Sequence, residues 1–106
     1  MYIPPGFNTV TPYFFVANAE AFVRFLVQGL GGTEVCRTMR SNGLIQNVQV
    51  KLVASTVMVR ETTERYRPMA VAYYLYVEDA DASMQRALQH GATLEMEVSD
   101  MPCGAR

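Results

Sequence analysis

The chain is poor in the residues that most catalytic and metal sites require. Its 106 residues include no tryptophan, one histidine (His90) and two cysteines (Cys36 and Cys103). A single histidine excludes any site that needs two imidazoles. Two cysteines at this spacing supply neither a disulfide framework nor a zinc finger. The strings HExxH, CxxC and GxGxxG and the P-loop are also absent. The sequence therefore favours a binding protein over an enzyme.

Charge of one sign and long apolar runs are also lacking. Charged residues make up 18% of the chain and the formal net charge is −1, so no basic field attracts nucleic acid or anionic lipid. The apolar stretches are far shorter than the roughly 20 residues that span a bilayer. The N-terminus does not have the order of a signal peptide. We expect a single cytoplasmic domain over residues 1–106, with neither nucleic acid nor a membrane as a partner.

Hydrophobic alternation and chain breakers predict one helix and four strands in the first sixty residues. The predicted elements are a strand over Thr9–Val16, a helix over Ala19–Gln28, and strands over Thr33–Met39, Ile45–Val53 and Thr56–Arg60. Asn18 is a suitable N-cap for the helix, and three glycines end it. Ser41-Asn42-Gly43 is a turn signal between two of the strands.

The pattern then starts again after a polar linker at Glu61–Pro68. It predicts a strand over Met69–Val77, an Asp79-capped helix over Ala80–Gln89, and a strand over Thr93–Val98.

The two passages match each other in sequence. The string VANAEA at Val16 corresponds to VEDADA at Val77, and Gly31-Gly32-Thr33 corresponds to Gly91-Ala92-Thr93. Matches at both ends of a helix indicate an internal duplication. The predicted fold class is α+β, with tandem βαβββ modules. The first module covers residues 9–60, and the second, over 69–106, is an incomplete βαβ unit without its last two strands.

A tandem βαβββ arrangement resembles the vicinal oxygen chelate superfamily, which includes glyoxalases, bleomycin-resistance proteins and extradiol dioxygenases. The strings TPYFFVANAEAFVRFLVQGLGGTEV, SNGLIQNVQVKL and YYLYVEDADASMQRALQHGAT resemble its PhnB-like branch, and the terminal CGAR is similar to that branch's Gly-Asp-Arg turn. The resemblance covers about Thr9 to Arg106.

The resemblance implies curved sheets that enclose a cavity, with metal ligands on the first and fourth strands of each module in metal-dependent members. The corresponding positions are Thr11, Ala72 and Val59, and the fourth would lie beyond Arg106. Valine and alanine offer no lone pair and threonine is a poor ligand, so we expect no metal and no cofactor. Asn47 and Gln49 stand where PhnB-like proteins often carry His and Glu.

We expect the cavity to be lined by polar and aromatic side chains that suit a small organic molecule. The predicted ligand-binding residues are Thr11, Tyr13, Asn47, Gln49, Val59, Ala72 and Tyr74. The leading hypothesis is a metal-free, bleomycin-resistance-like protein that binds such a molecule.

Three alternatives remain open at this stage. The chain could be a metal-dependent lyase, isomerase or dioxygenase whose ligands come from a partner chain. It could be a ferredoxin-like βαββαβ regulatory domain, although the 60-residue offset favours βαβββ. It could also be a truncated product whose signature would be instability.

In the superfamily's sheet order, the missing strands would lie between Met69–Val77 and Thr93–Val98. Strands without neighbours pair with other chains. We therefore expect a homodimer, with strand exchange as one route to it.

Individual residues have plainer interpretations. His90 suits the C-terminus of a helix, and Cys36 is expected to be a packed free cysteine. Glu61 is the only nearby carboxylate that could reach the mouth of a cavity.

Overall fold

Four strands form one mixed sheet in the computed structural model, which describes residues 2–94. The strands are β1 (Tyr13–Val16), β2 (Thr33–Met39), β3 (Ile45–Leu52) and β4 (Ser55–Glu61). Their order across the sheet is β1-β4-β3-β2, with β1 parallel to β4 and the other pairs antiparallel. This is a βαβββ module in which β3 and β4 lie between β1 and β2, as the resemblance implied.

The first helix has two parts. Helix α1 (Ala19–Arg24) continues as a π-helical turn (Phe25–Gly29). Asn18 caps α1 as predicted, with its side chain accepting a hydrogen bond from the Ala21 amide, and it has a left-handed backbone (φ 57°). Asparagine is one of the few side chains that tolerate this conformation. The sequence thus predicted the cap correctly but not the π-helical turn.

The chain leaves the helix through a close backbone contact. The Gly32 amide donates to the Leu26 carbonyl at 2.9 Å. A Cβ on Gly32 would lie 2.7 Å from Val50 Cγ1 and 2.9 Å from the Leu26 oxygen. Only glycine fits where the helix end meets β3.

The two hairpins use different turn geometries. Between β2 and β3, Ser41-Asn42-Gly43 forms a three-residue loop closed by an Arg40 to Leu44 hydrogen bond, with Gly43 at φ 84°. This confirms the predicted turn. Between β3 and β4, Val53 has φ 55°, which strains a β-branched residue.

The core lies between α1 and one face of the sheet. It contains the following buried residues: Ala19, Val23, Leu26, Ile45, Val48, Val50, Val57 and Val59. Phe14, Val16, Phe22 and Phe25 pack around them and are partly buried. Because successive strand residues point to opposite faces, the other sheet face is left outside this core.

The second half contains helix α2 (Ala80–Gln89), whose bounds match the prediction. The Asp79 side chain accepts from the Ala82 amide at 3.0 Å, and His90 ends the helix, both as expected. Helix α2 lies against the π-helical turn, where Arg86 Nε donates to the Gln28 carbonyl.

The predicted strand over Met69–Val77 is wrong for this structure. The segment pairs with no strand among residues 2–94, and the Met69 amide makes a hydrogen bond to the Phe15 carbonyl at 3.2 Å. A strand needs a neighbour to accept its hydrogen bonds. The predicted strand over Thr93–Val98 lies largely outside the described residues, as do Cys103 and the terminal turn.

Three consecutive strands follow α1 with no helix between them. This order contradicts the ferredoxin-like βαββαβ alternative. No helix among residues 2–94 combines the length and apolar character needed to cross a membrane.

Candidate ligand-binding site

The sheet face opposite α1, called here the open face, carries the largest group of predicted site residues. The register of β1, β3 and β4 assigns eight residues to it: Tyr13, Phe15, Asn47, Gln49, Lys51, Thr56, Met58 and Arg60. Most of these side chains are half-buried, and they combine rings, amides and one guanidinium.

Tyr13 and Asn47 are joined by a hydrogen bond across the open face. The Asn47 amide Nδ2 donates to the Tyr13 hydroxyl at 3.0 Å. Because β4 lies between β1 and β3, the tyrosine side chain has to cross β4 to reach Asn47. The hydroxyl accepts in this bond, so its own proton remains available for a ligand.

A cluster of rings surrounds a guanidinium at the C-terminal end of β4. The Arg60 guanidinium carbon lies 4.7 Å from the Tyr66 ring centre and 5.9 Å from that of Phe15. The Phe15 ring also contacts Tyr13 and Tyr66 edge-on, at 5.2 and 5.5 Å between centres. These contacts fix an aromatic wall beside the Tyr13–Asn47 pair.

The N-terminal segment closes the opposite end of the open face. The Thr56 hydroxyl donates to the Gly6 carbonyl at 2.6 Å, and Thr56 is buried. Thr56 and Arg60 are four residues apart on β4, which corresponds to about 13 Å along a strand. A small ring system fits this length.

Glu61 does not reach this site, contrary to its predicted position at a cavity mouth. Its carboxylate accepts from the Asn18 and Ala19 amides, both at 2.9 Å, and so caps α1. Glu61 follows Arg60 on β4 and therefore points to the other face. No Asp or Glu occupies the open-face positions of β1, β3 or β4.

The structure brings Tyr13, Asn47 and Gln49 together on the open face and separates Val59 from them. Val59 is completely buried in the core, paired with Phe14 and Val48. Val59 therefore lies off the open face, because successive residues of a strand point to opposite faces of the sheet.

The remaining predicted site residues lie away from this group. Thr11 precedes β1 and is half-buried. Ala72 and Tyr74 are exposed in the segment 69–77, where the Tyr74 ring contacts Tyr76 at 5.3 Å. In the same segment, Tyr73 contacts Phe14 at the edge of the core, and burial raises the pKa of its hydroxyl. The segment does not complete the open face.

Phe15, Met58, Arg60 and Tyr66 were missed by the sequence analysis. The alternation Val57, Met58, Val59, Arg60 was a sufficient signal for β4, since the two valines form the apolar face. Tyr66 had no such signal because it lies in a loop, and its contact with Arg60 is set by the path of the chain.

The superfamily that the sequence resembles includes metal-dependent members, but the donor set here does not fit a divalent cation. Val59 faces the core, and its open-face neighbours on β4 are Met58 and Arg60. An arginine cannot give a lone pair to a cation, and a thioether is a poor ligand for hard metals. Residues 2–94 contain no group of three or more His, Cys, Asp or Glu side chains that could hold a metal ion.

A second, shallow depression lies beside α2. It has a volume of about 510 Å³ and is lined by Gln28, Ala82, Gln85, Arg86, Gln89 and His90. This lining has no aromatic wall apart from the exposed imidazole at its rim. The open face is therefore the better candidate for an organic ligand.

Cys36 lies on edge strand β2 and is exposed, so the expectation of a packed cysteine is wrong. The other residues of β2 are also largely exposed, since an edge strand has one neighbour and little of β2 is covered by α1. Its partner in the register is Gln49, so the free thiol lies on the open-face side of the sheet, at its β2 edge.

Comparison with known proteins gives a structural match only. No protein-family model matches the sequence, and no curated protein is significantly similar to it. The fold is similar to the crystal structure of TioX from Micromonospora sp. ML1, a bleomycin-resistance/glyoxalase-like protein, with a TM-score of 0.69 and 22% identity. The match covers 92% of this chain and 81% of that one. The chain therefore has a fold of the glyoxalase/bleomycin-resistance type, built here on one complete βαβββ module.

Proposed function

We propose that the chain binds a small organic molecule on the open face, without a metal. The observation that carries the proposal is the joined group Asn47, Tyr13 and Phe15, whose members are half-buried, mutually oriented and outside the core. Such a surface supplies rings for stacking and a hydroxyl and an amide for orientation. The open-face positions of β1, β3 and β4 carry no histidine or carboxylate, the side chains that act most often as general acid or base, which favours binding over catalysis.

The chain is further proposed to form a homodimer through the segment 69–77. Within residues 2–94 this segment pairs with no strand, and it exposes several large apolar side chains, among them Leu75 (45%) and Tyr76 (84%). Backbone groups without partners bind a second extended segment readily. A second copy of the chain presents such a segment. No observation among residues 2–94 favours the alternative of metal-dependent chemistry with ligands from a partner chain.

Other sequence expectations remain predictions. The PhnB-like branch and a cytoplasmic location both rest on the sequence alone.

The ligand proposal is tested with N-phenyl-1-naphthylamine, a neutral aromatic molecule that fluoresces when bound. The test variant is Met58→Asp, because Met58 lies between Tyr13 and Gln49 in the sheet register. A charge at this position disfavours an apolar ligand. The matched control is Val35→Asp on exposed β2, where Val35 is 59% exposed.

The proposal expects probe binding by the wild type and the control, and a loss of roughly tenfold or more in affinity with Met58→Asp, since burying an unpaired charge costs several kcal/mol. Equal affinities for all three proteins would contradict an open-face site. Circular dichroism spectra of the variants establish that each is folded.

The dimer proposal is tested by light scattering during size-exclusion chromatography at micromolar concentration. A dimer is expected for the wild type. Leu75→Pro removes a backbone donor in the segment and should give a monomer, whereas Leu75→Ala keeps the donor and should remain largely dimeric. A monomeric wild type contradicts the proposal.

A further inference from the structure

Arg60 differs from the other arginines that are covered by the protein. Its Nε atom is buried and has no hydrogen-bond partner, and Arg60 makes no ion pair with any residue in the range 2–94. Arg37 binds two carboxylates and Arg40 donates to the Glu61 carbonyl. Even the exposed Arg86 donates to the Gln28 carbonyl. An exposed arginine needs no partner because water solvates it, but a half-buried guanidinium without an acceptor loses solvation and gains no ion pair.

Rings, not carboxylates, hold the Arg60 guanidinium in position. It lies over Tyr66 and near Phe15, at 4.7 and 5.9 Å from the ring centres. Contact with a ring uses the flat face of the guanidinium and leaves its in-plane N–H groups free to donate. The arrangement therefore orients a fork of donors without neutralising its charge.

The charge of the open face is opposite in sign to that of the whole chain. The chain has a formal net charge of −1, yet the open-face positions of β1, β3 and β4 hold Lys51 and Arg60 and no acid. Glu61, the acid next to Arg60 in sequence, points to the other face and is already bonded to two backbone amides. The acceptor that Arg60 lacks is thus not supplied by its own strand or by the neighbouring strands.

We infer that Arg60 is an anion-binding subsite, and that the ligand of the open face is a small organic anion with an apolar or aromatic body. The inference rests on the proposed function and adds the chemical class of the ligand. The anionic group, a carboxylate, sulfonate or phosphate, would accept from the Arg60 fork, while the ligand body lies toward Tyr13 and Met58. Guanidinium groups bind such anions through paired hydrogen bonds that a neutral ligand does not make.

The test compares two probes with the same ring system. One is 8-anilinonaphthalene-1-sulfonate, which carries an anion, and the other is N-phenyl-1-naphthylamine, which does not. Both are titrated against the full chain and against Arg60→Gln, Arg60→Lys and the control Arg65→Gln. Arg65 also lies near Tyr66, at 5.5 Å, but it is exposed in the loop.

The inference expects Arg60→Gln to weaken binding of the sulfonate roughly tenfold or more while changing binding of the neutral probe by less than about twofold. Arg60→Lys keeps the charge but not the paired donors, so its affinity for the sulfonate should lie between those of the wild type and Arg60→Gln. This variant keeps the test decisive if Arg60→Gln does not fold. Arg65→Gln should bind both probes as the wild type does.

Two results would overturn the inference, and they are distinguishable. In the first, Met58→Asp abolishes binding of both probes, but the Arg60 variants lower the affinity for both probes equally or for neither. The open-face site then stands and the anion subsite is wrong. If neither probe shows binding sensitive to Met58→Asp, the proposed function fails and the subsite fails with it.

Discussion

The two halves of this chain carry the same helix-start signal, but within residues 2–94 only the first half builds a sheet. Asn18 accepts from the Ala21 amide and Asp79 accepts from the Ala82 amide, so each N-cap bonds the residue three positions later. The first half adds four paired strands and the core. In the second half, α2 contributes one buried residue, Ala87. The strand-like sequence at 69–77 pairs with no strand in the part of the chain that the structure describes.

The difference reflects which contacts each element needs: a helix cap depends on residues close in sequence, and a strand depends on residues far apart in sequence. A helix cap is a contact between residues three apart, so the sequence encodes it wherever it occurs. A strand needs hydrogen bonds from a segment distant in sequence. The first half contains those segments within 61 residues, as the β1–β4 pairing demonstrates. Residues 62–94 do not supply them for the segment 69–77.

The largest expected effect concerns the two positions that end the helices. Gly32→Ala places a Cβ 2.9 Å from the Leu26 carbonyl oxygen and 2.7 Å from Val50. The backbone cannot yield easily, so we expect a loss of about 2–3 kcal/mol in the free energy of unfolding. The repeat already has alanine at the corresponding Ala92.

Ala92→Gly is the matched control and should change the free energy of unfolding by less than about 1 kcal/mol. Urea denaturation measures both. Similar losses at the two positions would mean that the two helix ends are packed alike, contrary to the comparison.

The next effect concerns the caps themselves. Glu61→Ala removes the acceptor for the Asn18 and Ala19 amides. It should lower the free energy of unfolding by about 1–2 kcal/mol, because both amides lie where α1 meets the core. The urea midpoint reports this loss.

Asp79→Ala removes the cap of α2 and should increase hydrogen exchange in residues 80–89. It should leave the free energy of unfolding, measured by urea denaturation, within about 0.5 kcal/mol of the wild type, since α2 is a small part of the core. A midpoint shift as large as that of Glu61→Ala would contradict the difference between the halves.

Backbone strain is also confined to the first half. Among residues 2–94 the non-glycine residues with positive φ are Asn18 and Val53. Val53→Gly relieves the strain of the β3–β4 turn and should raise the free energy of unfolding by about 0.5–1 kcal/mol, after the entropic cost of glycine. Val10→Gly, at another exposed valine without positive φ, should give no gain. A loss of stability with Val53→Gly in thermal unfolding would show that the turn is unstrained.

The smallest effect depends on pH. The Arg37 guanidinium, hydrogen-bonded to Glu20 at 2.7 Å, lowers the pKa of that carboxyl from its ordinary value of 4.5, and the Glu20 contact in turn raises the pKa of Arg37. A lowered folded-state pKa stabilises the fold above the unfolded pKa, and this contribution disappears as the pH falls through the folded pKa.

Both side chains are partly solvated, so the contribution should be below about 0.5 kcal/mol at neutral pH. Glu20→Gln should therefore have a slightly lower free energy of unfolding than the wild type at pH 7, and this difference should shrink as the pH is lowered toward 3, as measured by urea midpoints. A larger difference between the two proteins at pH 3 than at pH 7 would contradict this pH dependence.

Much of the fold could be predicted from residues that are neighbours in sequence. The bounds of β2 and α2 agree with the predictions, and β3 and β4 agree within one residue at each end. The strand predicted at Thr9 begins at Tyr13, and the helix predicted to Gln28 ends in a π-helical turn. These differences arise from packing, which periodicity does not encode.

The site was predicted less completely. Tyr13, Asn47 and Gln49 share a sheet face, as alternation within a strand indicates, and their role in ligand binding stays a prediction. Val59 lies off that face, because an alignment by resemblance is accurate to a residue or two, while a sheet changes face with every residue. Tyr66 could not be found, since a loop residue meets Arg60 only through the tertiary path of the chain.

The open face and the depression beside α2 are the two candidate surfaces, and we expect the ligand to bind to the open face. Both surfaces carry side-chain amides, so an ¹⁵N-correlated NMR spectrum distinguishes them during a titration with 8-anilinonaphthalene-1-sulfonate. The reporters are Asn47 and Gln49 on the open face and Gln28, Gln85 and Gln89 beside α2. The account predicts saturable shifts of the Asn47 and Gln49 amide signals. Shifts confined to Gln28, Gln85 and Gln89 would contradict it.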